Sequence, residues 1–127
     1  MRAFAFCVAA ALALPAQAGA DSFTTSDLLA IADRGDEVDR LLLESYVMGL
    51  AEGVEMSHQV ANAAGVAFFC PAERLVFSGG LVLDVLREQV AWHPESAAME
   101  PRVVFFTGLL NRYPCEQQAL GRLGGPR

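Results

Sequence analysis

Residues 69–115 read FCPAERLVFSGGLVLDVLREQVAWHPESAAMEPRVVFFTGLLNRYPC, and the reading of this stretch decides the fold. Ser78 or Gly79 opens a helix whose Leu81, Val82, Val85, Leu86 and Val90 make a broad apolar face. The helix stops at His93, because the residue before Pro94 is pushed out of the helical region. A further helix is expected from Glu95–Ser96, or from nearer Met99, since Pro101 fits only in a first turn. It presents Val103, Phe106, Leu110 and Tyr113 and ends at Pro114. Cys70 stands before the first of these helices and Cys115 after the second. A bridge between them would tie the open ends of an antiparallel helix pair.

Working outward towards the N-terminus, the pattern stays helical. Thr24-Thr25-Ser26-Asp27 supplies N-cap candidates ahead of Leu28, Leu29 and Ile31, and this short helix ends near Arg34-Gly35. Asp36 caps a second start, with Asp39 three residues on in a capping-box-like position. The second helix carries Leu42, Tyr46, Gly49, Gly53, Met56 and Val60, which alternate steps of four and three and therefore share one face. Gly49 and Gly53 each cost about 1 kcal/mol of helix propensity against Ala, so Tyr46, Gly49 and Gly53 are expected to form a close-packing motif. This helix runs to about Ala63–Ala64 with Gly65 as its C-cap. Residues 66–71 form an apolar connector. The expected architecture is all-α, a small four-helix bundle with one disulfide, and strand alternation is nowhere sustained.

The ends of the chain are of a different kind. Met1-Arg2 and the apolar run Ala3–Leu14 precede Pro15 and the small-x-small site Ala16-Gln17-Ala18, so residues 1–18 read as an export signal cleaved after Ala18, or alternatively after Ala20. Setting those 18 residues aside leaves 109 of 127, and these are 49% apolar, an ordinary value for a globular domain. The helical domain spans residues 19–115, and residues 116–127, EQQALGRLGGPR, read as a frayed tail. Removing Arg2 takes the net charge from −6 to −7, with no lysine anywhere in the chain. Such a balance disfavours nucleic acid and anionic lipid, and no mature stretch is apolar enough to span a membrane. Cleavage also removes Cys7 and leaves Cys70 and Cys115 as an even pair, for which an oxidising compartment favours a bridge. Two free thiols and an intermolecular bridge are the alternatives.

Chemistry-bearing patterns are few. There is no Gly-rich phosphate loop, no G-x-S-x-G and no H-E-x-x-H, so neither catalytic residues nor a cofactor are expected. Glu52, Glu55 and His58 follow i,i+3 steps, but Glu55-x-x-His58 is half of a di-iron arrangement whose second half is missing, and the face reads as solvated rather than metal-binding. Trp92 either covers the end of the bundle or joins His93 and Pro94 in a recognition patch. Phe68-Phe69 and Phe105-Phe106 are neighbours that cannot share one core seam, so one of each pair belongs at a core edge or an interface.

Phe69-Cys70-Pro71, a Val/Leu-rich helix, Pro94, a second helix and Tyr113-Pro114-Cys115, with Tyr46-x-x-Gly49-x-x-x-Gly53 upstream, resemble the Rap/Tai family of type VI secretion immunity proteins over about residues 24–115. The resemblance implies a small, helical, periplasmic protein that binds and neutralises a peptidoglycan amidase effector and commonly acts as a homodimer. It carries Cys70 and Cys115 over as structural residues and no inhibitory residue. Many relatives hold a further cysteine pair, at places that here fall near Ala32 and Leu43.

The function expected is therefore steric inhibition of an amidase by a loop placed in its groove. The loop between Phe69 and Ser78 is best placed, because the bridge fixes one end, and Ala72, Glu73 and Arg74 are its expected contact residues. The alternative is a small periplasmic chaperone of the acid-stress type, which exposes apolar surface as its carboxylates lose charge.

Overall fold

A computed structural model describes residues 23–34 and 37–116. The expected export signal, Cys7, the Asp36 cap and tail residues 117–127 lie outside the described residues. The elements are α1 (Thr25–Arg34), α2 (Glu37–Ala63), α3 (Gly79–Trp92), a 3-10 turn (Pro94–Ala98) and α4 (Pro101–Arg112). No strand occurs among the described residues. The protein is a small all-α bundle of four helices, in which α3 packs against α2, α4 and the 3-10 turn.

Local chemistry explains where the helices begin and end. Thr24 caps α1: its hydroxyl accepts the Asp27 N–H at 3.2 Å while its own N–H donates to the Asp27 carboxylate at 3.0 Å. Thr25, fully buried, donates both its N–H and its hydroxyl to the Met99 carbonyl, pinning α1 to the turn before α4. Gly65, with φ of +78°, ends α2; the Gly65 N–H donates to the Asn62 carbonyl and the Val66 N–H to the Ala61 carbonyl. The Ser78 hydroxyl accepts the Leu81 N–H at 3.2 Å and caps α3. Beyond His93 the chain does not pass directly into one helix. Pro101 holds Glu100 in an extended conformation, so a 3-10 turn is separated from an α4 that begins with Pro101 at its first position.

The apolar face of α2 differs from the one expected, and that of α4 differs in part: Phe106, Leu110 and Tyr113 are half-buried against the core, as expected, but they are not its centre. On α2 the buried residues are Leu43, Val47 and Ala51, while Leu42, Met56 and Val60 are each more than 60% exposed. On α4 the buried set is Pro101, Val104, Phe105, Gly108 and Leu109, and Val103 is exposed. Both helices are apolar on two sides, so spacing alone does not choose between them; the neighbouring helix does. Gly79 at the start of α3 lets Val47 approach so closely that a Cβ there would lie 2.8 Å from its Cγ2.

The close-packing motif assigned to Tyr46, Gly49 and Gly53 is corrected in the same way. No atom comes within 4 Å of a Cβ built on Gly49 or Gly53, so neither glycine is a notch within the bundle. Besides Gly79, the tight glycine among the described residues is Gly108: a Cβ there would collide with Val85 and lie 2.9 Å from the Gln89 Cγ. It sits where α4 crosses α3, beside the buried Gln89 that accepts a hydrogen bond from Asn111 at 3.3 Å.

The adjacent aromatic pairs resolve together. Phe69 and Phe105 enter the core, and their half-buried neighbours Phe68 and Phe106 meet edge to face with centroids 5.5 Å apart. Trp92 does not cover the end of the bundle: it is 74% exposed, beside His93, whose Nδ1 lies 3.6 Å from Glu95.

Candidate functional site

The segment between α2 and α3 is irregular in backbone yet tied down at each end. Phe69 is buried, and the Cys70 N–H next to it donates to the Tyr113 carbonyl at 2.8 Å. Cys70 and Cys115 are disulfide-bonded with Cα atoms 4.9 Å apart, so the loop is fixed to the end of α4. Phe77 and Ser78 hold the far end, the first against Phe69 with centroids 6.1 Å apart, the second as the α3 cap. Between these anchors Ala72, Glu73, Arg74 and Val76 are exposed and Leu75 is half-buried. The expected contact residues thus stand together, exposed, on a short tethered loop.

α2 supplies the other wall. A depression of about 200 Å³ lies between the loop and the residues Glu55, His58 and Gln59. His58 is not on a solvated face as its spacing suggested. Its ring stacks on Phe69 with centroids 3.9 Å apart and planes within 10°. Its Nε2 lies 3.0 Å from the Asn62 amide nitrogen, which donates, so the neutral ring carries its proton on Nδ1. That Nδ1 is buried without a partner, and burial holds the His58 pKa below its usual value. Glu55 accepts from Gln59 at 3.1 Å. Glu55 and His58 border the same depression while Glu52 is exposed, and no group of three metal-type ligands occurs among the described residues.

The His58–Phe69 stack was illegible in the sequence, where the two residues stand eleven apart with the helix end between them. The signal that pointed nearest to it was the pair Phe68-Phe69, one of which had to leave the surface. Tyr46, Gly49 and Gly53 belong to the opposite side of α2, where the Tyr46 ring meets Phe23 edge to face at 5.6 Å. There Tyr46, Gly49 and Leu50 border a groove of about 540 Å³ whose far wall is Pro101 and the ion-paired Glu100 and Arg102. Burial, the largest influence, raises the Tyr46 pKa, with Arg102 opposing it.

No family model, curated protein or solved structure matches this chain.

Proposed function

We propose that this chain is an exported immunity protein that binds a periplasmic peptidoglycan amidase effector of a type VI secretion system and blocks it sterically. The observation that carries this reading is the loop 71–76, exposed at its tip and fixed at its ends by a disulfide, a buried phenylalanine and a helix cap. A loop already ordered loses little conformational entropy on entering a groove, which is what a tight steric inhibitor requires. Both thiols of the described residues are engaged in the bridge, and the one half-buried imidazole is committed to a stack, so the reading assigns the protein no chemistry of its own. The resemblance set out above supplies the partner class and the expectation of a homodimer.

The test asks whether a peptidoglycan amidase is encoded beside this gene and, where one is, co-expresses it, directed to the periplasm, with and without this protein. Protection from lysis and a one-to-one complex on gel filtration are expected. Replacing Ala72, Glu73 and Arg74 together should abolish the complex while leaving the melting temperature unchanged, because these side chains are exposed. Equal lysis in both cultures with no complex contradicts the proposal.

A second reading, a periplasmic chaperone active in acid, draws on the exposed apolar residues of α2. It expects suppression of client aggregation at about pH 3, where carboxylates are protonated. The mature chain suppressing none would remove it.

A further inference from the structure

Trp92, the only tryptophan of the chain, stands exposed at the last position of α3. Its indole forms one wall of a depression of about 470 Å³ between the ends of α3 and α4, a size usual for small-molecule sites. The other five residues bordering it are Glu88, Gln89, His93, Asn111 and Arg112, all of them planar and polar. Gln89 is the residue out of place. It continues the inner face of α3 after Val82, Val85 and Leu86, and it is only 6% exposed. An amide at such a position costs free energy unless its polar atoms are used. Its stem is pressed against Gly108, and its carbonyl oxygen accepts from the Asn111 amide nitrogen at 3.3 Å. The rim is held as well: Arg112 pairs with Glu88 at 3.5 Å, and its guanidinium lies 5.7 Å from the centre of the Tyr113 ring. Groups fixed in this way before a ligand arrives lose little entropy when it binds.

The chemistry of the lining selects among ligands. Glu88 and Arg112 carry charges that offset one another, so the depression is close to neutral in a chain whose formal charge is −6, and neither an anion nor a cation is favoured. A quaternary ammonium group is held by a cage of several rings, and one indole makes no cage. A tryptophan that anchors a protein partner sits in a well-packed pocket from which water is excluded, whereas every neighbour of Trp92 in this depression is polar. A pyranose ring meets both halves of the lining. Its faces carry C–H bonds, which suit the negative face of an indole. Its rim carries hydroxyls, each of which donates and accepts, and these suit amides, a guanidinium and a carboxylate standing side by side. We infer that the depression between the ends of α3 and α4 is a binding site for a neutral pyranose sugar. Trp92 is its platform, and Gln89, Asn111, Glu88 and Arg112 take the hydroxyls.

This inference goes beyond the inhibitor reading and does not depend on it, because none of its residues belongs to the loop 71–76. A single tryptophan makes the experiment direct, since its emission reports the site alone. The oxidised chain is titrated with two neutral trisaccharides, cellotriose and tri-N-acetylchitotriose, and tryptophan emission is followed. A saturable shift with half-saturation in the millimolar range is expected, and the tighter of the two sugars tells whether hydroxyls alone or acetamido groups are read. Variants are compared by saturation-transfer NMR observed on the sugar. Trp92→Leu should lose binding and Trp92→Tyr should retain it, because a ring face and not apolar bulk is required. Both should keep the melting temperature, the side chain being exposed. Arg112→Gln should raise the half-saturation by about tenfold, through loss of a charged hydrogen-bond donor. An emission change that stays linear with both sugars, or Trp92→Leu binding as tightly as the unaltered protein, would overturn the inference.

Discussion

Gly108 on α4 and the pair Gly49 and Gly53 on α2 are the same residue in opposite circumstances. Around Gly108 the bundle is closed: Val85 and Gln89 of α3 occupy the space where a side chain would begin. Around Gly49 and Gly53 nothing in the protomer lies within 4 Å of where a side chain would begin, and Leu42, Met56 and Val60, on the same side of the helix, face outward. A glycine within a helix costs propensity wherever it stands. What differs is which contact compensates, one inside the fold and one offered to the outside. The bundle is thus two regions: a closed half, built from α3, α4 and the bridged loop, and an open helix face along α2.

The largest blow to the closed half should be loss of its bridge. Replacing Cys70 and Cys115 by Ser releases a loop of 45 residues. On the chain-entropy account this lowers unfolding free energy by about 4 kcal/mol, measured by urea unfolding of the oxidised protein and the variant. A loss well under half of that would mean the loop is held by Phe69 and the Cys70–Tyr113 hydrogen bond instead.

Gly108→Ala comes next. The added methyl group has nowhere to go without moving Val85 and Gln89, so a loss of about 1–3 kcal/mol is expected. Gly53→Ala should do the reverse and stabilise the isolated protomer by up to about 1 kcal/mol. Opposite signs for one chemical change are the sharpest form of the contrast between the two regions.

The smallest effect concerns pH. Burial lowers the His58 pKa from the ordinary 6.5, so the unfolded chain takes up a proton that the folded one resists. The sign follows: this contribution is present at neutral pH and is lost as pH falls through about 6.5. His58→Gln should flatten the dependence of melting temperature on pH between about 7 and 5. An unchanged slope would show that the stack on Phe69 does not govern the ring's protonation.

Fold class, helix number and most helix ends were legible in the sequence because they follow from local chemistry. Thr24, Gly65, Ser78 and the prolines at 94 and 101 act on their own neighbours. Which side of α2 and α4 turns inward was not legible. Leu42 and Leu43 are adjacent, as are Val103 and Val104, and a helix with two apolar sides has no intrinsic inside until another helix is placed beside it. The choice is made by Gly79 and Gly108, which lie far along the chain from the residues they admit. The site divides in the same manner: Ala72, Glu73 and Arg74 could be placed on a tethered loop from Cys70 and Pro71, whereas the stack beneath it needs the α2 turn that brings His58 back over Phe69.

The contrast between the closed and open glycines is tested most directly by urea unfolding of Gly53→Leu and Gly108→Leu, both at concentrations low enough to keep the chains apart. Gly108→Leu should lose stability severely or fail to fold, while Gly53→Leu should unfold at the same or a higher urea midpoint than the unaltered protein. A midpoint for Gly53→Leu lowered as far as that of Gly108→Leu would contradict the account, because it would place Gly53 in a packed interior that the open face of α2 does not have.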